Sequence, residues 1–183
     1  MNLTFKVYRR LADCVPMFSI CRTLFAQHSP EAVQSSPHLS GFGNFSPAIT
    51  ITGGTTFSFP SGEAFSFVMP FDATINGIYM SATNLAFTPP SGQQIFPYVA
   101  LATAPPGSNT FTLLPETQTF VDTPYVGGTA YPANTILSGS LTGIAVPIAG
   151  GTRVAIVCGF ETTGSPLAAS YLFYYTGGIS LGS

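Results

Sequence analysis

From residue 38 onward the sequence repeats one local form, a short run of β-branched or aromatic residues followed by glycine or proline. The segment AITIT at residues 48–52 alternates apolar and polar residues and precedes Gly53-Gly54, and FSF at residues 57–59 precedes Pro60. Alternation with a period of two is typical of strands with one buried face, and glycine and proline mark the turns between them. No part of this region has helical periodicity. The pattern predicts an all-β body.

The same criteria predict about eight to ten short strands. Residues 72–87 are expected to form one long strand or a hairpin bent at Asn76-Gly77, and residues 153–160 a strand buried on both faces. Residues 95–103 contain Pro97, which cannot donate a ladder hydrogen bond, so this strand is expected at an edge or a bulge. Many short strands separated by turns are typical of a β-sandwich or barrel.

The body carries very few charges. Charged residues make up 7% of the chain, against ~25% in an average soluble domain. After residue 37 they are Glu63, Asp72, Glu116, Asp122, Arg153 and Glu161. Because a monomer normally covers itself with charge, and large uncharged surfaces mark interfaces, the composition favours an obligate oligomer. The alternative is a monomer whose surface is rich in serine and threonine.

Residues 1–37 differ in composition from the body at residues 38–183 and contain four of the five Lys and Arg residues. Residues 7–26 are compatible with a short amphipathic helix broken near Pro16. They match a secretory signal poorly, because Asp, Pro and Arg interrupt the apolar run. The favoured interpretation is a mobile or partner-dependent arm, joined to the body by a linker rich in serine and proline.

Two of the three cysteines lie in this arm. Cys14 and Cys21 are seven residues apart, which suits one face of a helix but no standard metal site. They are candidates for intermolecular disulfides if the chain works outside the cytosol. Cys158 stands alone in an apolar run and is expected to be buried and inert.

Several function classes are disfavoured by what the sequence contains. A net charge of −2 with five Lys and Arg residues argues against nucleic-acid binding. Glycine and proline interrupt every apolar stretch before it reaches the ~20 residues of a membrane span. Neither a nucleophile elbow nor a zinc-binding spacing of Cys and His is present, so we predict no enzyme, no metal and no cofactor. Weaker alternatives are a pair of catalytic carboxylates, or calcium held by Asp72 with Glu116 or Asp122.

Four stretches of the body follow one another in the order and spacing of a known domain. They are VMPFDATINGI (residues 68–78), SNTFTLLP (108–115), IAVPIAGGTRV (144–154) and YYTGGISL (174–181). Together they resemble the C-terminal domains of spore-surface collagen-like glycoproteins of the BclA and BclB type, over about residues 40–183. The resemblance implies a trimeric jelly-roll sandwich of the tumour-necrosis-factor type, displayed on the exosporium. Since the chain carries no Gly-x-y repeat, we expect either a head attached by another route than a collagen stalk or a stand-alone unit.

Arg153 is the single cation of the body and stands at the start of a strand. One interpretation is an ion pair across a trimer interface, with Glu161, Asp72 or Glu116. The other is an arginine that anchors a turn by donating to loop carbonyls. The sequence leaves both open.

Aromatic residues near the C-terminus form the second candidate for a trimer interface. Tyr171, Phe173 and Tyr175 alternate along one strand and therefore share a face. They are expected either to pack at a threefold axis or to fill the core of one subunit.

These observations predict a structural, self-assembling surface protein, namely a homotrimeric jelly-roll head or shell subunit of a spore layer. Its main partner is itself, and other spore-coat proteins and glycans are further candidates. One alternative is a subunit of an extracellular filament linked through residues 1–37. Another is a head that binds glycans or a receptor, for which exposed loop aromatics such as Tyr125 or Tyr131 would be the sign.

Overall fold

The chain folds into a β-sandwich. A computed structural model describes residues 14–22, 26–27, 37–40, 48–59, 65–164 and 170–182, with only the backbone at 14–22, 26–27 and 170. All regular elements in these ranges are strands, and ten of them have three or more residues, which agrees with the eight to ten expected. They are β1 (Cys14–Arg22), β2 (Ala26–Gln27), β3 (His38–Ser40), β4 (Thr56–Ser58), β5 (Ser66–Val68), β6 (Ala73–Asn84), β7 (Gln93–Ala104), β8 (Thr110–Phe120), β9 (Tyr125–Val126), β10 (Ile136–Ile148), β11 (Arg153–Gly164), β12 (Ser170–Tyr171) and β13 (Phe173–Gly182).

The strands form two main sheets. The four-stranded sheet has the order β1-β13-β6-β10, and the seven-stranded sheet has the order β3-β11-β7-β8-β4, with β5 also on β11 and β9 on β7. Strands that follow one another along the chain mostly lie in different sheets. The chain passes to the other sheet between β5 and β6, between β6 and β7, between β9 and β10, between β10 and β11, and between β11 and β13. This alternation of antiparallel strands is the arrangement of a jelly roll. The predicted all-β jelly-roll sandwich is confirmed.

Asn76-Gly77 lies inside a continuous strand and is not a turn. Strand β6 is the interior strand between β13 and β10, and Gly77 pairs with Ser180 on one side and Thr142 on the other. A Cβ on Gly77 would lie 3.1 Å from the backbone oxygen of Leu141. The glycine is therefore placed where three strands approach closely, next to the register shifts of both neighbouring strands.

Pro97 lies in an interior strand. Strand β7 pairs with β11 along its whole length on one side, and with β8 and then β9 on the other. The oxygen of Pro97 accepts from the amide of Val121, just after β8 ends and before β9 begins. The missing N–H of proline therefore faces a gap in the ladder, so an interior strand tolerates it. The irregularity in β7–β8 pairing falls nearby, between Val99 and Leu101.

One long side of the sandwich is closed where β10 crosses the end of β8. The amide of Asp122 donates to the oxygen of Ser138 over 2.9 Å. Gly139 is buried against the backbone of Phe120, and a Cβ at this position would overlap the oxygen of Phe120. Only glycine lets these two strands approach so closely.

Two apolar clusters lie on opposite faces of the seven-stranded sheet. The main cluster fills the space between the sheets and includes Ile78, Leu101, Val154 and Phe173. The second cluster lies outside the seven-stranded sheet, where residues from 37–40, 48–59 and Phe65 cover its strands. Its members are Leu39, Ile49, Phe57, Phe59, Phe65, Ala102, Ala104, Phe111, Ala155 and Val157. Strand β11 is thus buried on both faces, as its uninterrupted apolar sequence predicts.

The segment predicted as an arm contributes two strands. Strand β1 pairs antiparallel with β13, and the two-residue β2 pairs with β12. The helix considered for residues 7–26 differs from this arrangement, because Cys14–Arg22 is extended. The edge of β13 offers a row of backbone donors and acceptors, and pairing with it outweighs a weak local helical pattern. Pro16 is compatible with this position since β1 is an edge strand.

Candidate interaction surface

The three aromatic residues proposed for a trimer interface lie in the interior of one subunit. Tyr171, Phe173 and Tyr175 do share a face of the chain, as their alternation predicts, but it is the inner face. Their exposed fractions are 8%, 0% and 2%. The phenol of Tyr175 donates to the oxygen of Gly159 over 2.6 Å, and that of Tyr171 donates to Oε1 of Gln93 over 2.9 Å. These side chains therefore pack in the core of one subunit and do not form an interface between subunits.

The loop aromatics considered as a sign of ligand binding also belong to the fold. Tyr125 is fully buried, and its hydroxyl donates to Oδ1 of Asn84 and to the oxygen of Thr135. Tyr131 is half-buried, and its hydroxyl accepts from the amide of Val126 over 2.8 Å. The two rings pack edge to face, with centroids 4.8 Å apart. The ring of Tyr125 therefore offers no open face to a ligand, and Tyr131 packs against it.

Arg153 anchors a turn. Its guanidinium donates to Oγ of Ser66 through two nitrogens and to the backbone oxygen of Ser108 through the third. It also lies 5.4 Å from the ring centre of Phe59 and 5.0 Å from that of Phe111. These contacts match the second of the two interpretations drawn from the sequence, since the bonds go to a hydroxyl and a carbonyl. Arg153 joins the loop after β7 to the start of β11 within one subunit.

The cysteines take two different positions. Cys14 and Cys21 lie in β1, where they pair with Ser180 and Tyr175 of β13; their side chains are outside the described part of the structure. Cys158 is fully buried, as predicted.

The outer face of β13, β6 and β10, three strands of the four-stranded sheet, carries an uncharged surface, which we call the hydroxyl face. Strand β1 lies beside it at the edge, where Arg22 pairs with Tyr174. Four cross-strand rows cover β13, β6 and β10, and each contributes three residues. The rows are Tyr174–Thr83–Ile136, Thr176–Ser81–Ser138, Gly178–Tyr79–Ser140 and Ser180–Gly77–Thr142. None of these twelve residues is charged, and most are small.

The side chains of the hydroxyl face are ordered by short contacts. The hydroxyls of Ser81 and Ser138 are 3.1 Å apart across β6 and β10. Tyr79 and Ile136 project from the face and are 47% and 65% exposed. A flat sheet face with small side chains and two projecting apolar groups lets another surface approach closely without the desolvation of any charge.

Two of the described acidic groups form hydrogen bonds outside the hydroxyl face. Oδ1 of Asp72 accepts from the amide of Gly150 over 2.7 Å, and Oε1 of Glu161 accepts from Gln118 over 3.0 Å on the seven-stranded sheet.

Sequence reasoning did not identify the hydroxyl face. Its signal is the spacing Ser138-x-Ser140-x-Thr142, which alternates hydroxyls along one strand, but the position of β6 beside it was needed to see a surface.

Three buried tyrosines make the free energy of unfolding depend on pH in the alkaline range. Burial raises the pKa of Tyr98, Tyr125 and Tyr171 above the ordinary value. Glu161 and Cys158 add to this for Tyr98, and Tyr131 adds to it for Tyr125. The neutral phenols are thus favoured in the folded state, and their contribution is complete below pH ~10, where unfolded tyrosine titrates.

We expect the free energy of unfolding to fall as the pH rises above 10, because the unfolded phenols lose their protons before the folded ones. Each buried phenol contributes at most about 1.4 kcal/mol per pH unit. Urea unfolding at pH 9, 10 and 11 measures this. The variant Tyr98→Phe should have a shallower decline, and an equally steep one in this variant would contradict the assignment to Tyr98.

No group of three or more His, Cys, Asp or Glu side chains that could hold a metal occurs in the described residues. Within those same ranges there is also no helix with the length and apolar character of a membrane span. The sequence matches no protein-family model, and no curated protein is significantly similar to it.

Proposed function

We propose that this chain is a self-assembling structural subunit, a homotrimer whose copies join through the hydroxyl face. The observation that carries the proposal is the complete absence of charge from the twelve described residues of that face. Charged residues are depleted from the centres of protein interfaces, whereas a solvent-facing sheet of this size normally carries several. The low charge of the whole chain supports the same conclusion.

The proposal includes a location at a spore or cell surface, as part of an outer layer. Support for the location comes from the resemblance of the body to terminal domains of spore-surface glycoproteins. The composition also suits such a layer. Only five Lys and Arg residues occur in 183, so an unfolded segment offers few positions to proteases that cut after basic residues.

The test places one charge at the centre of the hydroxyl face. Light scattering of the wild-type chain is expected to give three times the chain mass of 19.1 kDa. Tyr79→Glu should give the mass of a single chain, because burying an unpaired carboxylate in an interface costs several kcal/mol. The matched control is Thr129→Glu, which adds the same charge to an exposed residue outside the hydroxyl face.

Circular dichroism separates dissociation from misfolding, since both variants should keep the β-sheet spectrum of the wild type. A wild-type mass of one chain would overturn the proposal. So would a Tyr79→Glu variant that remains trimeric like Thr129→Glu.

A further inference from the structure

The outer face of the seven-stranded sheet carries a second surface, away from the half that holds the second apolar cluster. Its side chains come from three adjacent strands and combine amides, a carboxylate and half-buried rings. We call it the amide patch, and its members are Gln94, Phe96, Gln118, Phe120 and Glu161. Register places Phe96 beside Glu161, and Phe120 beside Tyr98.

Tyr98 forms the floor of the amide patch. Its ring lies over Gly159 of the neighbouring strand, where a Cβ would come within 2.7 Å of the phenol oxygen. The ring of Phe120 packs beside it, with centroids 5.6 Å apart. Only 4% of Tyr98 is exposed. The floor is therefore a buried, packed aromatic ring.

Polar groups lie above this floor in fixed positions. Nε2 of Gln118, on β8, donates to Oε1 of Glu161, on β11, over 3.0 Å. This bond spans β7 and brings an amide and a carboxylate together over Tyr98. At the end of the patch, the hydroxyl of Thr163 donates to Oε1 of Gln94 over 3.3 Å. Gln94 is exposed, and Phe96 and Phe120 are half-buried, so the patch is open to solvent.

We propose that the amide patch binds a neutral saccharide. A sugar ring presents an apolar face of C–H groups, which suits the partly exposed rings of Phe96 and Phe120. Its neighbouring hydroxyls both donate and accept hydrogen bonds, which matches a carboxylate acceptor beside amide groups that do both.

The charges at the patch distinguish between ligand classes. Glu161 disfavours anionic ligands by repulsion. A cationic ligand would use the carboxylate and the rings, but it would offer no acceptor to the exposed amide of Gln94. A neutral polyhydroxyl ligand uses all of these groups. The inference does not rest on trimer formation, because the hydroxyl face lies on the other sheet.

The test uses the full chain on an array of neutral mono- and oligosaccharides, followed by calorimetric titration of the strongest binder. Glu161→Gln keeps an acceptor for Gln118 but removes the charge, and should weaken binding about tenfold. Phe120→Leu keeps the apolar volume but removes the ring, and should weaken it similarly. The control Glu116→Gln changes an exposed acid of the same strand β8 outside the patch and should bind as the wild type does.

Light scattering and circular dichroism of each variant should match those of the wild type, which separates loss of binding from loss of assembly or fold. The proposal is overturned if no neutral saccharide binds, or if Glu161→Gln and Glu116→Gln bind equally well. Binding of tetramethylammonium in preference to every saccharide would assign the patch to cations instead.

Discussion

Replacing Phe173 by alanine is expected to lower the free energy of unfolding by about 4 kcal/mol, and the melting temperature by roughly 10 °C. The side chain is fully buried. Its ring contacts those of Tyr125, Phe160 and Phe87 at centroid distances of 5.3, 5.8 and 5.9 Å. Alanine would remove the ring from this cluster and leave a cavity that the rigid neighbours fill only in part.

The conservative variant Phe173→Leu keeps most of the apolar volume and should cost no more than about 1.5 kcal/mol. Urea unfolding of both variants measures the difference. The transition is followed by circular dichroism and by tyrosine fluorescence, because the chain contains no tryptophan. If Phe173 lay at an interface between subunits, alanine would instead dissociate the assembly and leave the single subunit as stable as before. That result would refute its placement in the core.

Replacing Arg153 by alanine is expected to cost about 3 kcal/mol of unfolding free energy. The guanidinium makes three hydrogen bonds, two to Ser66 and one to the backbone of Ser108. Hydrogen bonds to charged groups contribute roughly 1.5–3 kcal/mol each, and the two ring contacts with Phe59 and Phe111 add roughly 0.5–2 kcal/mol. Exposure of the half-buried group to water reduces the total well below the simple sum.

Arg153→Lys separates charge from shape. Lysine keeps the positive charge over the rings but lacks the planar fork that reaches both Ser66 and Ser108, so an intermediate loss is expected. Thermal unfolding of the three proteins in the same buffer provides the comparison. An alanine variant that melts within 2 °C of the wild type would show that the turn holds without the arginine.

The alternation of apolar and polar residues predicted the fold. It did not predict which face of each strand points into the core and which points outward. The pattern of Tyr171, Phe173 and Tyr175 shows that they share a side of the strand, yet an interior and an interface between subunits are both apolar. The packing of the seven-stranded sheet against this face decides the question. For the same reason the hydroxyl face was missed, since its rows join residues from three separate strands.

Local rules also failed where tertiary contacts decide the outcome. An Asn-Gly pair favours a turn, but Gly77 is needed for close strand approach in the interior of a sheet. Proline disfavours an interior strand because it has no N–H to donate to the ladder. Pro97 is tolerated because it lies opposite the gap between β8 and β9, where the ladder is interrupted. The hydrogen-bond partners of Arg153 likewise could not be predicted from the sequence, because Ser66 and Ser108 are 87 and 45 residues away along the chain.

The crossing of β10 over β8 at Gly139 has a consequence for aggregation. A protein with so little charge lacks electrostatic repulsion between copies, and a free edge strand would invite amyloid-like stacking. Here the first half of β10 is already bonded to the segment after β8, through Ser138 and Asp122. In its second half a bulge between Thr142 and Val146 and the ring of Pro147 interrupt the ladder. The edge of β10 therefore offers no continuous template for cross-β growth.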